Sequence, residues 1–247
     1  METLQYKNQL FIYHKQLYNL GCHHFFTTKP LGFGFFRESE EDLIKNMTLI
    51  REAMNTQAPV FYMHQQHTNK IIDINKSELI PTKHGYLKEN VDGLYTNKTN
   101  QLLLSTYADC TPFLIFDPIN KVQVNCHSGW RGYLSEILLN ALNMFETNDI
   151  HVLSGPHLLF EDFEVDYDVA KLFIKKFSQI KNLVIQQGSK YHIDLNKITH
   201  YFCDFKKIPF ENRHFINLST LQDHRLHSFR KDKQEFKQMA LISTLVD

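Results

Sequence analysis

Two short segments hold the residue types best able to do chemistry: Tyr107-Ala108-Asp109-Cys110-Thr111-Pro112 and Asn125-Cys126-His127-Ser128-Gly129-Trp130-Arg131-Gly132. A cysteine thiolate and a neutral imidazole are both good zinc ligands, and the same pair can act as nucleophile and base. Between the segments, apolar Phe113 to Phe116, the turn formers Asp117-Pro118-Ile119-Asn120 and alternating Val122 and Val124 read as a β-hairpin. A turn centred on Pro118 and Ile119 sets Cys110 directly opposite His127, with Cβ atoms about 5 Å apart. The inference depends on register, because a slip of one residue turns one of the two side chains to the other face, and Pro112 is a candidate bulge.

A third ligand is available in Met63-His64-Gln65-Gln66-His67-Thr68-Asn69, a polar stretch between two apolar runs that places both histidines at or near a turn. Either imidazole could join Cys110 and His127. Two His and one Cys form a catalytic zinc set, in which three protein ligands leave the fourth tetrahedral position for water or substrate. Copper is chemically admissible, since a thiolate with imidazoles also suits it. Taken alone, Cys110 reads as buried core and either histidine as an ordinary hydrogen-bonded residue. The convergence of the segments is what argues for a site.

Ser128-Gly129-Trp130-Arg131-Gly132 lies between a strand and a helix, and its two glycines let the backbone approach a ligand closely. Amides at that helix start, with the Arg131 guanidinium, suit a phosphate or carboxylate. The pattern is neither a P-loop nor a dinucleotide fingerprint. Trp130, the only tryptophan, fits a core role as well as a stacking role.

The elements that must position these residues are strands and helices interleaved along the chain. Short strands are expected at 20–28, 60–64, 70–74, 102–106, 151–154 and 183–186, with 92–96 preceding the one at 102–106. Helices are expected at 40–54, 169–177 and 196–205, and the clearest at 133–145, where Leu134, Ile137, Leu138, Ala141, Leu142 and Phe145 recur at helical spacing. Residues 235–246 fit either a helix or a strand. A tight hairpin among the strands excludes a purely parallel doubly wound sheet, so the expectation is a mixed α/β (α+β) fold.

With 247 residues, 43% of them hydrophobic, and no linker, repeat or low-complexity stretch, residues 1–247 read as one domain. Lys plus Arg and Asp plus Glu stand at 27 each, which leaves no overall field to recruit nucleic acid or an anionic membrane. The N-terminus lacks the basic start and apolar run of a secretory signal, and no segment approaches the roughly 20 apolar residues that span a bilayer. The expected location is the cytoplasm. Cysteines at 22, 110, 126 and 203 show no paired spacing, so free thiols are expected rather than a disulfide framework.

With Ala108-Asp109-Cys110 after a strand and the block His127-Ser128-Gly129-Trp130-Arg131-Gly132, the chain resembles the multicopper polyphenol oxidase or laccase-domain family, now mostly classed as purine nucleoside phosphorylases. The likeness extends through Phe26-Thr27-Thr28-Lys29, Gln65-Gln66-His67, Asp92-Gly93-Leu94-Tyr95-Thr96, Gly155-Pro156, Phe163-Glu164-Val165, Ile193-Asp194-Leu195 and Ser228-Phe229-Arg230-Lys231-Asp232. The resemblance selects His67 over His64, and so implies a zinc site of His67, Cys110 and His127 in a layered α/β/β/α sandwich with mixed sheets. It also implies substrate-binding positions at Lys29, Gln65, Arg131 and Arg230, with Asp109 and Arg131 the candidate catalytic residues. Three departures stand out: Thr28-Lys29-Pro30-Leu31 where the family has Thr-Arg-Gly-Gly, Leu158-Leu159-Phe160 where a glycine is usual, and Ser219-Thr220 in place of Cys-Thr. Lys29 cannot reproduce a bidentate Arg clamp.

The resemblance implies phosphorolysis of adenosine and inosine, and of S-methyl-5′-thioadenosine, to free base and ribose 1-phosphate, with adenosine deamination as a side activity. The expected partners are then small molecules, purine nucleosides and phosphate, and the expected state is a monomer or small homo-oligomer. Deamination lacks its usual Glu shuttle and Cys-x-x-Cys pair in this sequence. Two other enzyme classes compete: a copper-dependent polyphenol oxidase, disfavoured by the absence of paired His-x-His motifs, and a cysteine hydrolase of a peptidoglycan precursor with Cys110 as nucleophile and His127 as base. A non-catalytic alternative is a metal-stabilised binding protein.

Overall fold

The computed structural model describes residues 1–35 and 37–246. Among these residues the strands form three sheets. The first runs, edge to edge, Glu2–Tyr6, Gln9–Tyr13, Cys22–Thr27, Met239–Leu245, Leu102–Tyr107, Val60–His64, Gly85–Glu89 and Ile80–Thr82. The second runs Arg213–Phe215, His151–Ser154, Thr111–Asp117, Val122–Ser128, Gly93–Thr96 and Ile71–Asp73, and a small third sheet joins Glu164–Val165, Lys190–Ile193 and Val184–Gln187. Both large sheets mix parallel and antiparallel pairs. The fold is the mixed α/β class expected from the interleaved pattern.

Alternation along the central strands assigns each face to a layer. Leu102, Leu104, Ala240 and Ile242 pack with Leu43-bearing helix Glu40–Ala53 through Met47 and Ile50. The intervening Met239, Leu241 and Leu245 meet Leu114, Phe116 and Leu153 of the second sheet. On that sheet's far face, Phe113, Ile115 and Val124 pack under Ile137, Leu138, Phe173, Ile198 and Phe202, which come from three helices. Helix, sheet, sheet and helix therefore stack in the α/β/β/α order. Truncating a buried leucine such as Leu114, fully enclosed between the sheets, typically costs about 2–5 kcal/mol.

Two details differ from the sequence reading, and a third is one it leaves open. The hairpin closes through a four-residue loop, Pro118 to Lys121, instead of a turn centred on Pro118 and Ile119. Asp117 caps the loop by accepting from the Ile119 and Asn120 amides, both at 2.9 Å, and Lys121 takes a left-handed φ of 52°. The helix expected over 133–145 is two pieces, Trp130–Leu134 and Ile137–Leu142, because Glu136 adopts φ 64°. The break is supported from outside: the Asn69 amide donates to the freed Ser135 carbonyl at 2.9 Å, and Lys176 pairs with Glu136 at 3.0 Å. Residues 239–245 are a central strand, buried on both faces, so no alternation marks it in the sequence.

No helix among the described residues is long and apolar enough to cross a membrane.

Four histidines meet where the N-terminal strands approach the second sheet. The His14 and His214 rings lie 4.3 Å apart, and His151 Nδ1 and His214 Nε2 share a hydrogen bond of 3.0 Å. His24 Nε2 accepts from the His14 amide at 3.0 Å. Burial, then mutual repulsion and the Met1 amine, lower His14 to about 4 and His214 to about 3, and burial lowers His24 to about 4. These imidazoles stay neutral in the folded protein while the unfolded chain protonates below about pH 6.5. Stability is then complete above about pH 6.5 and falls as pH drops toward 4, because the unfolded state binds more protons. Urea unfolding should show a lower midpoint at pH 5 than at pH 7, with the difference reduced in His214→Gln.

Candidate active site

The chain crosses from the first sheet to the second through Ala108-Asp109-Cys110, the bend between Leu102–Tyr107 and Thr111–Asp117. Cys110 sits immediately before the hairpin's first strand, and in the observed register His127 faces Pro112 rather than Cys110. The four-residue loop displaces the expected register by one residue on each strand. That offset keeps side-chain parity, so Cys110 and His127 still lie on one face, as diagonal neighbours instead of an opposed pair.

The third imidazole arrives from the first sheet. After Val60–His64, the Gln65 side chain continues the ladder: its Oε1 accepts from the Thr106 amide and its Nε2 donates to the Thr106 carbonyl, both at 2.7 Å. The chain then turns, with His67 at φ 58°. His67 Nε2 comes within 3.7 Å of Cys110 Sγ, and the His67 and His127 rings lie 5.0 Å apart at 74°. One donor atom each from His67, Cys110 and His127 lies within 4.8 Å of the other two. His64 lies outside that cluster.

Asp92 organises all of this, although it stands out in the sequence only as part of Asp92-Gly93-Leu94-Tyr95-Thr96. Its carboxylate has no solvent exposure. It accepts from the backbone amides of Gln66 (3.2 Å), His67 (3.1 Å) and Thr68 (2.7 Å), from the Thr68 hydroxyl (2.8 Å) and from His127 Nδ1 (2.9 Å). The last bond fixes the His127 tautomer and aims Nε2 toward Cys110. A carboxylate behind a ligating histidine raises its basicity and holds its orientation. A sequence signal existed only in part, since three of the five donors are backbone amides.

Gly129 completes the cluster by what it lacks. A Cβ there would fall on the His67 ring and stand 3.0 Å from Cys110 Sγ. Gly155, at the end of a neighbouring strand, likewise has its Cβ position taken by the Phe26 ring.

The electrostatics suit a thiolate. Burial works against a charged Cys110, but the His127 charge and hydrogen bonds from His127 and His67 outweigh it and lower the thiol pKa. Burial likewise opposes charge on His127, and Cys110 and Asp92 together raise its pKa. Asp92 is held below its usual value despite burial by His127 and Thr68. Burial pushes Cys22 and Cys126 up, and Cys203 up to about 12.

The donor set fits a zinc-type ion: two imidazoles, one thiolate, a carboxylate behind one imidazole, and no Cβ on Gly129 to block the approach. Among the described residues no second group of this kind is present. That matches one mononuclear site. The ligands open on a cavity of about 490 Å³, walled by aromatic and aliphatic side chains that include Trp130, Leu158, Phe163, Phe229 and Phe236.

Of the other expected site residues, Gln65, Asp109 and Arg230 also line this cavity. Asp109 Oδ1 accepts from the Thr220 hydroxyl and Oδ2 from the Arg230 amide, both at 2.7 Å, at a left-handed φ of 86°. The Arg230 guanidinium donates to the Asp162 and Glu164 carbonyls, both at 2.9 Å. Arg131 is exposed, outside the lining, and its guanidinium lies 4.1 Å from the Trp130 ring centre. Lys29 is also outside it and pairs with Asp232 at 3.4 Å. Ser219, one of the departures noted above, is hydrogen-bonded to Asp162.

Comparison with known proteins shows the family and the fold. Residues 24–245 match the family model of the multi-copper polyphenol oxidoreductase laccases, and the chain belongs to that family. A purine nucleoside phosphorylase of Staphylococcus saprophyticus is 30% identical over 181 residues, 68% of this chain and 66% of the relative, just under two thirds of its length. A purine nucleoside phosphorylase of Staphylococcus aureus is 29% identical over 182 residues, 71% of this chain and 68% of the relative. Among solved structures, the hypothetical protein YfiH of Bacillus licheniformis superposes with a TM-score of 0.83 at 20% identity, covering 96% of both chains. YlmD of Geobacillus stearothermophilus gives 0.80 at 19% identity, with 92% and 93% covered. These structures share the fold.

Two measurements test the geometry. In metal-free protein, iodoacetamide at pH 7 should alkylate Cys110 alone and rapidly, since an ordinary thiol of pKa about 8.5 is mostly protonated there; zinc should protect it, as mass spectrometry would show. Asp92→Asn removes the negative charge behind His127 and turns one of the two acceptor oxygens into an NH2 donor facing N–H groups, and should weaken zinc binding by about 10–100-fold in a chelator competition.

Proposed function

We propose that this protein is a zinc-dependent purine nucleoside phosphorylase, acting on adenosine and inosine and also on S-methyl-5′-thioadenosine. The observation that carries this reading is the His67–Cys110–His127 cluster opening on an aromatic cavity. The printed names of the staphylococcal relatives support it. In the reaction the bond from C1′ to the purine nitrogen breaks, a phosphate oxygen bonds C1′, and the departing nitrogen takes a proton.

A zinc ion held by His67, Cys110 and His127 would supply a Lewis acid with one open position. The remaining chemistry falls to the chain. Flat apolar walls at Trp130, Phe163 and Phe229 suit a purine ring and exclude water from it. Asp109 acts as a positioning residue, holding Thr220 and the Arg230 amide so that the wall carrying Arg230 keeps its shape. Gln65 fixes the start of the loop that delivers His67. Adenosine deamination as a side activity would have to draw its proton through Asp109, the one acidic side chain lining the cavity among the described residues.

A second reading has its own support. The lowered Cys110 thiol beside His127 is also how a cysteine hydrolase begins, attacking a peptidoglycan-precursor amide with Cys110 and using His127 as base. Metal occupancy separates the two, because a ligated thiolate is not a free nucleophile.

The test is chromatography of zinc-loaded protein incubated with adenosine and inosine, with and without phosphate. Adenine and hypoxanthine should appear only with phosphate, and release should fall at least about a hundredfold in Cys110→Ala and His127→Ala, the scale of losing a metal site. Base release that survives complete zinc removal would refute the zinc dependence, and wild type that releases no base would refute the phosphorylase and leave the hydrolase reading.

A further inference from the structure

A second depression, of about 420 Å³, lies on the other side of the cavity's aromatic wall. It is lined by Arg37, Phe229, Arg230, Lys233, Gln234 and Phe236, of which Phe229, Arg230 and Phe236 line the metal-bearing cavity as well. The partition is two rings, Phe229 and Phe236, packed edge to face with centres 5.0 Å apart. Phe229 remains 59% exposed, although it is a large apolar side chain.

The depression gathers three cations on one rim. Other cations of the same part of the chain are paired: Lys29 with Asp232, Lys237 with Glu38 and Arg225 with Asp223. Among the described residues, none of Arg37, Arg230 and Lys233 has a carboxylate within 4.0 Å. Two of the three are instead held in place by neutral groups. Arg37 donates to the Gln234 carbonyl at 3.1 Å and lies 4.1 Å from the Phe236 ring centre, and Arg230 is fixed by the Asp162 and Glu164 carbonyls. Backbone carbonyls orient a guanidinium without cancelling its charge, and each guanidinium keeps further N–H donors for an oxyanion. In a chain with net charge 0, three unpaired cations on one aromatic rim amount to a local anion site.

We propose that Arg37, Arg230 and Lys233 form an oxyanion subsite that takes a phosphate group lying beside a nucleoside in the metal-bearing cavity; the nucleoside part rests on the function proposed above. The phosphate is either inorganic phosphate or the 5′-phosphate of a nucleotide, and Arg230, which lines both spaces, is where it would meet the nucleoside cavity. The chemistry of recognition is the same: charge-assisted hydrogen bonds from cations that have no competing carboxylate.

Calorimetric titration of zinc-loaded protein with adenosine, adenosine 5′-monophosphate and inorganic phosphate tests this. The proteins compared are wild type, an Arg37→Ala/Lys233→Ala double variant, and an Arg37→Lys/Lys233→Arg double variant that keeps the charges. A tethered phosphate should make the monophosphate bind about tenfold more tightly than adenosine, a difference of about 1.4 kcal/mol, and the advantage should vanish in the alanine pair and persist in the charge-retaining pair. A free phosphate site should instead bind inorganic phosphate on its own, with affinity about tenfold weaker in the alanine pair. Alanine substitutions that leave both ligands within twofold of wild type would overturn the subsite. Base release from adenosine in that same protein would leave the proposed function standing. Conversely, phosphate binding that depends on Arg37 and Lys233 would stand even in a protein that cleaves no nucleoside.

Discussion

Everything at the centre of this protein depends on the buried carboxylate of Asp92. A charge with no solvent exposure is costly unless its oxygens are fully hydrogen-bonded, and here five donors converge on two oxygens. The donors come from two places in the chain: the turn that carries His67, and His127 in the hairpin. One desolvated group therefore sets the loop conformation and the imidazole orientation together. The left-handed His67 backbone, disfavoured for a residue with a Cβ, is compensated by the amide bonds on either side of it.

The rest of the site follows from the double-sheet arrangement. The chain passes from one sheet to the other at Ala108-Asp109-Cys110, and such a corner exposes side chains at the sheet ends instead of burying them between faces. The same corner lets Asp109 reach Thr220 and the start of the helix Phe229–Asp232, drawing a distant part of the chain over the cavity. Aromatic side chains from that helix and from Phe163 then supply walls that the sheets alone do not provide.

Much of this was legible in the sequence. The two ligand segments stood out because a hairpin between them forces proximity, and the parity of side chains protected that inference from an error in the loop. Residues 60–64, 151–154 and 40–54 were readable because their apolar spacing is regular. The N-terminal pair Glu2–Tyr6 and Gln9–Tyr13 was not, since its outer strand is largely exposed and its turn depends on Lys7 at φ 52°. The expected single helix over 133–145 failed at Glu136, where external partners at Asn69 and Lys176 support a break that local periodicity cannot register. Asp92 went unrecognised because most of its partners are backbone amides, which no side-chain pattern encodes.

His67 hangs from the first sheet, His127 belongs to the second, and Cys110 lies at the crossing between them. Any ion held by the three is consequently a cross-brace between the layers as well as a reactive centre. Such a brace couples the cohesion of the sandwich to the supply of metal: every tenfold rise in free ion above its dissociation constant adds about 1.4 kcal/mol to the folded state. In a metal-starved cell the protein would then lose mechanical tightness and chemistry at once, so the population of this fold would itself report on metal availability.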